Sequence, residues 1–388
     1  MTRQAMVFSL PFGFLNDCKG KRMTVVFEGV PLVRTEWVHD LAALFDNSNI
    51  DVHKLIKVSK APEDIQMSDV EFLPETILRN LLLAFGESCP TDEFIHTIWT
   101  LCRDLYVPKV LAQLALTPTM TVAEAIEVFC HSMRRYSNNT RLGLEQYHDR
   151  IWFARYKDGE NQPWYQYAEM FSLIFMDELV AALANYRQQT VSVSVKSTNM
   201  ERFFDCRQLK HVQFYTNRAA TGIQLDDAVL NKTICMPNKG RFDGSTDLSE
   251  VPTSFVSSFG FAILPYISFG RFSILEAAQI LGIHKRTLQR RLHDCEVTYS
   301  QVMESLLLER SLSLLKNSTL SITTIAASLG YADTANFTRF IRRKIGMTPS
   351  AYRKTCGLGC GANVLFTQGH QFHLVAQDDN LYFSQSIR

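Results

Sequence analysis

Apolar residues recur at spacings of three and four along the first half of the chain. Two such groups are Leu41, Leu44 and Phe45, and then Ile77, Leu81, Leu82 and Phe85. This spacing places apolar side chains on one face of a helix. It predicts amphipathic helices from about residue 30 to residue 186.

The period changes to two farther along the chain. Val191, Val193 and Val195 alternate with serines, and residues 211–215 have a similar strand-like pattern. Alternation of this kind is typical of β-strands. The two patterns together predict an α+β fold for residues 1–237.

Residues 238–252, NKGRFDGSTDLSEVP, are dense in Gly, Asp, Ser and Pro and have no apolar period. Such composition is typical of a linker. We therefore predict a domain at 1–237, a linker at 238–252, a helical domain at 253–354, and a tail of unknown role at 355–388.

An internal repeat occupies the predicted C-terminal domain, where residues 273–302 match residues 321–352. The matching pairs, at an offset of 48, are Ser273 with Ser321, Ile274 with Ile322, Ala278 with Ala326, Leu281 with Leu329 and Gly282 with Gly330. A single duplication is too short for a solenoid. It indicates two copies of one supersecondary motif.

Each copy has the signals of a helix, a short turn and a second helix. Ser273 and Glu276 form a capping box that starts a helix, and Gly282 is the residue type that ends one. The next helix, residues 285–294, carries Leu288 and Leu292 on one face. The pattern predicts two helix-turn-helix motifs.

The outward faces of the second helices carry side chains that read base edges. The first copy offers Arg286, Gln289 and Arg290, and the second offers Thr334, Asn336 and Arg339. Arg pairs with guanine, Asn or Gln with adenine, and Thr with several bases. These residues are candidates for direct contact with DNA bases.

A further capping box, Thr298 with Gln301, starts an apolar-periodic stretch that continues to Lys316. A helix of about 18 residues is about 27 Å long. Such a spacer would hold the two second helices about one DNA turn, or about 34 Å, apart. One chain could then read a bipartite site.

Charge supports a polyanion partner. Residues 271–354 hold thirteen Lys and Arg against six Asp and Glu, so this segment carries +7 and the rest carries −6 within a total of +1. A basic block of this kind is typical of a nucleic-acid-binding module.

Nine cysteines without a spacing framework indicate a reducing compartment, and no apolar run reaches the length of about 20 residues that spans a bilayer. We predict a cytoplasmic protein with no membrane partner.

The C-terminal region resembles the AraC/XylS family of transcription regulators. The resemblance covers about 100 residues and rests on two segments, RTLQRRL at 286–292 and IAASLGYADTANFTRFIRRKIGMTPSAYR at 325–353. The positions that match the family signature are Gly330, Tyr331, Asp333, Phe337, Arg339, Phe340, Gly346, Pro349 and Arg353.

The resemblance implies a bacterial regulator, an activator, that binds double-stranded promoter DNA beside RNA polymerase. It implies an N-terminal domain that responds to a small effector and forms a homodimer. By position in the motif, the first base-reading set is Arg286, Gln289 and Arg290, and the second is Thr334, Ala335 and Arg339.

Other cations near the two motifs are candidates for phosphate contact: His284, Lys285, Arg342, Arg343, Lys344 and Arg353. The run 342–344 is equally typical of a solvated helix end favoured by the helix dipole. Ala335 replaces the small polar residue, usually Ser, that the family often has there. Its methyl group can contact a thymine methyl but cannot form a hydrogen bond.

Residues 1–237 resemble, more distantly, the effector domain of the longer branch, which is named for an arabinose-binding-type domain. The similarity centres on HVQFYTNRA at 211–219. It assigns no effector-binding residue. Aromatic content, including Phe171 and Phe175, favours an apolar or amphipathic effector.

The alternative class is an enzyme fused to a DNA-binding module, such as a repair alkyltransferase. That chemistry needs an activated cysteine beside a histidine in a short motif, whereas Cys130 and His131 lie in a helical pattern. Cys356, Cys360, His370 and His373 do not have the usual zinc spacing. We predict no enzymatic activity, no metal and no cofactor.

Overall fold

The computed structural model describes residues 29–46, 59–62, 70–147, 149–198, 200–204, 211–236, 248–269, 273–357, 373–377 and 380–384 of the chain. The strands and helices below lie within these ranges.

The N-terminal region begins with two short antiparallel strands, each followed directly by a helix. The strands are β1 (Leu32–Arg34) and β2 (Phe72–Pro74). The helices are α1 (Thr35–Asp46), α2 (Glu75–Ser88), α3 (Thr91–Leu101), α4 (Val107–Gln113) and α5 (Val122–Ser132). Short π-helical and 3₁₀ segments, Cys102–Tyr106 and Met133–Arg135, follow α3 and α5.

A five-stranded sheet follows, with strand order β3-β4-β7-β5-β6. Its strands are β3 (Arg141–Tyr147), β4 (Arg150–Tyr156), β5 (Ser192–Ser194), β6 (Gln213–Tyr215) and β7 (Thr221–Leu225). Only the β5–β6 pair of this sheet is parallel. The short helices α7 (Glu201–Phe204) and α8 (Asp227–Leu230) flank these strands.

Helix α6 (Tyr165–Ala184) is the centre of the N-terminal core. Most of its 20 residues are buried, because it packs against β7 on one side and against α2 and α3 on others. A helix that is apolar on all sides is stable only inside a protein. The core around it contains the fully buried rings of Phe94, Phe129 and Phe153.

The C-terminal region is helical. Its helices are α9 (Phe255–Ile263), α10 (Ile274–Ile280), α11 (Lys285–Asp294), α12 (Tyr299–Asn317), α13 (Ile322–Ser328), α14 (Thr334–Ile345) and α15 (Pro349–Gly357). A 3₁₀ segment, Leu264–Phe269, follows α9. Near the C-terminus, β8 (His373–Gln377) pairs antiparallel with β9 (Asn380–Ser384).

The two regions have separate cores that meet at one border. Val30, Leu32 and Phe72 belong to the core of the C-terminal helices although they lie in the N-terminal part of the chain. The rings of Phe72 and Phe261 meet edge to face, with centroids 5.2 Å apart. Apolar contacts therefore contribute to the border between the two regions.

The prediction of mixed helix and strand in the N-terminal region, followed by a helical C-terminal region, is confirmed. The predicted strands at 191–195 and 211–215 correspond to β5 and β6. The prediction of amphipathic helices from about residue 30 to residue 186 is wrong over residues 141–156, where β3 and β4 form a hairpin, and over the short strands β1 and β2. Side chains of β3 are exposed or half-buried, so the strand has no strict alternation of buried and exposed positions.

Residues 238–247 of the predicted linker lie outside the described residues. Residues 248–252 lie against the N-terminal region, where the Val251 N–H donates to the Arg134 carbonyl oxygen at 2.7 Å. Arg34 Nη2 also donates to the Ser249 carbonyl oxygen at 2.6 Å. Within the described ranges, none of the helices combines the length and the apolar character of a membrane-spanning segment.

Candidate nucleic-acid interface

Local hydrogen bonds set the first helix pair, α10 and α11. Ser273 Oγ accepts from the Glu276 N–H, and the Ser273 N–H donates to the Glu276 carboxylate at 2.6 Å. This backbone hydrogen bond lowers the pKa of Glu276. Gly282 ends the turn at φ 66°, a conformation that favours glycine. The Ile283 N–H then donates to the Ala278 carbonyl at 3.0 Å and turns the chain into α11.

Helix α11 divides into a buried face and an exposed cationic face. Leu288 and Leu292 are buried in the C-terminal core. The exposed residues, all predicted to contact DNA, are His284, Lys285, Arg286, Gln289 and Arg290. Arg291 does not belong to the exposed face of α11. Its guanidinium lies over the Phe255 ring of α9, 5.5 Å from the ring centroid.

The second pair, α13 and α14, repeats this arrangement. Ser321 Oγ caps α13 by accepting from the Thr324 N–H at 3.0 Å. Gly330 has φ 75°, and the Tyr331 N–H donates to the Ala326 carbonyl oxygen at 3.0 Å. The equivalent hydrogen bond in the first pair is that of Ile283, so both turns have the same backbone pattern.

The exposed face of α14 carries a chain of hydrogen-bonded side chains. Asp333 caps the helix by accepting from the Asn336 N–H at 2.6 Å. Asn336 Nδ2 donates to the second Asp333 oxygen at 2.6 Å, and Arg339 Nη2 donates to Asn336 Oδ1 at 2.5 Å. Ala335 is exposed, and half-buried Thr334 donates to Thr323 Oγ1 at 3.3 Å. The residues of the predicted second base-reading set therefore lie together. Hydrogen bonds already fix the orientation of two of them, Asn336 and Arg339.

Helix α12 connects the two pairs. Its capping box, Thr298 with Gln301, is present as the sequence predicts, and the helix has 19 residues. Its length is about 28 Å at 1.5 Å per residue. Its buried residues include Val302, Leu306, Leu312 and Leu315, so the core of the C-terminal region fixes it rather than leaving it as a free rod.

Apart from His284 and Lys285, the predicted phosphate-contacting residues fall into two groups. Arg342 and Arg343 are exposed at the end of α14, and Lys344 is half-buried. Glu304 of α12 pairs with Lys344 Nζ at 2.9 Å and lies 3.7 Å from Arg343 Nη2. Arg353 differs, because it is half-buried and its Nε donates to the Leu315 carbonyl oxygen at 3.2 Å. It ties α15 to α12.

The cysteine of the alkyltransferase alternative has the wrong environment for a nucleophile. Burial raises the pKa of Cys130 to about 12, whereas a reactive thiol needs a lowered pKa. Within the described ranges, no group of His, Cys, Asp and Glu could hold a metal. Of the four residues in the pattern without the usual zinc spacing, Cys356 is exposed, and the other three lie outside the described side chains.

One set of contacts to the first helix pair was not predicted. Thr76 Oγ1, at the start of α2, donates to the Ile280 carbonyl oxygen at 2.6 Å. Lys60 Nζ donates to the Gln279 carbonyl oxygen at 3.4 Å. Both acceptors are backbone carbonyl oxygens that lie about 200 residues after their donors in the sequence. No sequence motif indicates such contacts.

The sequence matches the family described as Helix-turn-helix domain over residues 277–355. It is 35% identical over 83 residues to the HTH-type transcriptional regulator VqsM of Pseudomonas aeruginosa, covering 21% of this chain and 26% of that protein. It is 37% identical over 86 residues to the Ornithine utilization regulator of the same organism, covering 22% and 25%. The matches span about a quarter of each relative.

The comparison with solved structures gives weaker similarity. The transcriptional regulator CdpR from Pseudomonas aeruginosa has a TM-score of 0.32 and 18% identity, over 82% of this chain and 98% of that chain. The DNA-binding domain of AdpA, solved in complex with a target DNA, has a TM-score of 0.23 and 21% identity, over 26% and 90%.

Proposed function

We propose that this chain, whose C-terminal region carries a helix-turn-helix domain of the AraC type, is a sequence-specific transcription regulator that reads a bipartite DNA site. The observation that carries the proposal is the pair of exposed helices, α11 and α14. Each has a buried apolar face, a glycine turn before it, and an outward face with exposed side chains of the types that can read base edges.

In this account both helix pairs are helix-turn-helix motifs and α12 is the spacer between them. The N-terminal parts of α11 and α14 enter successive major grooves. A spacer of about 28 Å suits grooves about one helical turn, or about 34 Å, apart on one face of the duplex. Because α12 is packed into the core, the two motifs approach DNA as one rigid unit.

The side chains divide the work between bases and phosphates. Arg286, Gln289 and Arg290 read bases from α11, and Thr334, Asn336 and Arg339 read them from α14, with Ala335 offering only a methyl contact. The phosphate contacts are made by His284, Lys285, Arg342, Arg343 and Lys344. Arg353 supports this set from α15 by holding α12 in place.

The regulatory roles form a further part of the proposal. Residues 1–237 bind a small effector and form a homodimer, residues 238–252 link them to the DNA-binding domain at 253–354, and 355–388 form a tail. The regulator acts as an activator beside RNA polymerase. The cavity described in the next subsection supports an effector role for the N-terminal domain.

The test is genome-wide occupancy of the chain, followed by binding of the best fragment at 50 mM and 200 mM salt, about the range over which phosphate contacts are most visible. We expect one enriched bipartite site and affinity that falls steeply with salt, because each phosphate contact releases counterions. The Arg290→Ala variant should bind this site more weakly. Arg103→Ala, which removes an exposed arginine of the N-terminal region, is the charge-matched control. Absence of any enriched site would refute the proposal.

A further inference from the structure

A cavity of about 90 Å³ lies inside the N-terminal domain, between α2, α6, β4 and the segment after α5. Most of its wall is apolar and aromatic, from Trp37, Leu82, Phe129, Phe171, Phe175 and Met176. Charged side chains also line it: Glu75, Arg79, Arg155 and Lys157. A cavity with an apolar wall and a few convergent polar groups is the usual form of a small-molecule site.

Two cations share one carboxylate in this cavity. Glu75 pairs with Arg79, Nη2 to Oε2 at 2.7 Å, and with Lys157. Burial alone would raise the pKa of Glu75, but Lys157 and Arg79 lower it to about 2. Burial lowers the pKa of Lys157 to about 7 against the attraction of Glu75. Glu75 is therefore ionised, and its negative charge is paired with Arg79 and Lys157.

Arg155 has a buried guanidinium donor without an acceptor among the described residues. It is 8% exposed, and its Nη1 has no hydrogen-bond partner among the described residues. The other carboxylate near it, Glu169, already accepts from Lys196 N–H at 2.7 Å and Thr221 Oγ1 at 2.6 Å. Arg79 Nε is also buried and unpartnered within the described chain. Two buried guanidinium donors thus lack an acceptor.

A buried donor without an acceptor is costly, and more so when it belongs to a charged group. Proteins retain such groups where a ligand completes them. The acceptor that suits a guanidinium is a planar carboxylate, which can take two parallel hydrogen bonds.

We propose that this cavity binds a small organic acid, with its carboxylate on Arg155 and Arg79 and its apolar body against the aromatic wall. The cavity volume restricts the body to a compact ring or short chain. Inorganic phosphate and other fully polar anions would leave the aromatic wall without contacts. The inference deepens the proposed effector control, because the same acid would be the effector.

The start of α2 connects this cavity with the DNA-binding region. Glu75 lines the cavity, and the next residue, Thr76, donates to the Ile280 carbonyl oxygen at the end of α10. A carboxylate that competes with Glu75 for Arg79 changes the forces on the first turn of α2. The first helix pair, held by the same turn, is positioned to respond.

The test uses the full chain and measures calorimetric binding and the shift of melting temperature with five probes. The acids are benzoate and hexanoate, and their neutral counterparts are benzamide and hexanamide; inorganic phosphate is a fifth probe. We expect at least one acid to bind and to raise the melting temperature. Its amide and phosphate should bind at least tenfold more weakly.

The variant Arg155→Met removes the buried guanidinium and should lower affinity for the acid at least tenfold. Arg150→Met, on the same strand but exposed, is the matched control and should bind the acid like the wild-type chain. If Arg155→Met fails to fold, Arg79→Met tests the second donor. Equal binding of acid and amide, an unaffected Arg155→Met variant, or no binding by any probe would overturn the inference.

The two proposals fail separately. If the acids bind but the chain has no specific DNA site, the proposed regulator function is wrong and the cavity remains an organic-acid site. Specific DNA binding without acid binding would remove only the cavity inference.

Discussion

Arg290 and Arg339 occupy corresponding faces of α11 and α14, and both side chains are exposed. We expect Arg290→Ala and Arg339→Ala each to cost about 1–3 kcal/mol of specific binding, because each removes a candidate bidentate contact to a base. Titration of the specific fragment and of a random fragment measures this cost. Wild-type affinity of both variants for both fragments would exclude α11 and α14 as the recognition helices.

Arg339 differs from Arg290 because Asn336 already holds it. The sequence identified both arginines by their spacing. It did not predict the chain of Asp333, Asn336 and Arg339, because the hydrogen bonds depend on side-chain conformations that spacing does not fix.

Glu309 of α12 gives a pH-dependent prediction. Burial raises its pKa to about 8 from 4.5, and its Oε2 has no partner among the described residues. The unfolded chain loses this proton at lower pH than the folded chain, so the stability contribution of Glu309 is present below pH 4.5 and is lost as pH rises through 8.

The variant Glu309→Gln has no proton to lose at this position. The free energy of unfolding of the variant, relative to that of the wild type, should therefore increase as the pH rises from 4.5 to 8. Denaturant unfolding at several pH values measures the difference. The exposed Glu296→Gln is the control, with no such gain expected. A constant difference between Glu309→Gln and wild type across this range would contradict the buried position of the carboxyl.

At the scale of elements, the turns depend on two glycines. Gly282 and Gly330 have φ 66° and 75°. An alanine in this conformation loses about 1–2 kcal/mol. We expect Gly282→Ala and Gly330→Ala to lower the free energy of unfolding by this amount, measured by chemical denaturation. Gly143→Ala, with open space around the new methyl, is the control and should be near neutral. Undiminished stability of both turn variants would show that these turns do not need glycine.

Elements with local signals were predictable from the sequence. Capping residues Ser273 and Thr298 begin α10 and α12 as expected, and the AraC-type resemblance of the C-terminal region is confirmed. The β3–β4 hairpin was missed. In β4 the inward positions Ile151 and Phe153 are followed by Arg155 and then Lys157, so charge interrupts the apolar period of two. Charges on the buried face of a strand were the available signal for the cavity.

At the scale of the whole molecule, the two cores are joined by contacts between residues far apart in sequence. Asn138 Nδ2 donates to the carbonyl oxygens of Val30 at 3.0 Å and Pro252 at 2.5 Å. Val30 N–H donates to Ser258 Oγ at 2.7 Å. Sequence periodicity describes one element at a time, so it contains no information on which elements meet at this border.

The border also provides a test of coupling. Thr76→Val keeps the side-chain shape and removes the hydrogen bond to Ile280. We expect an acid that fills the cavity to change DNA affinity of the wild type about fivefold or more, the lower range of typical allosteric coupling. In the variant the acid should still bind but should change DNA affinity much less. DNA titrations with and without benzoate or hexanoate measure this, and an equal response of variant and wild type would place the coupling elsewhere.

In the proposed function, α11 and α14, held rigidly by α12, read two half-sites on one face of the duplex. The most direct measurement is the affinity for the specific fragment after insertion of about five base pairs, half of a helical turn, between the half-sites. We expect the affinity to fall to that of a fragment with a single half-site, because the second half-site moves to the opposite face. Unchanged affinity after the insertion would show that the two helices do not bind DNA as one unit.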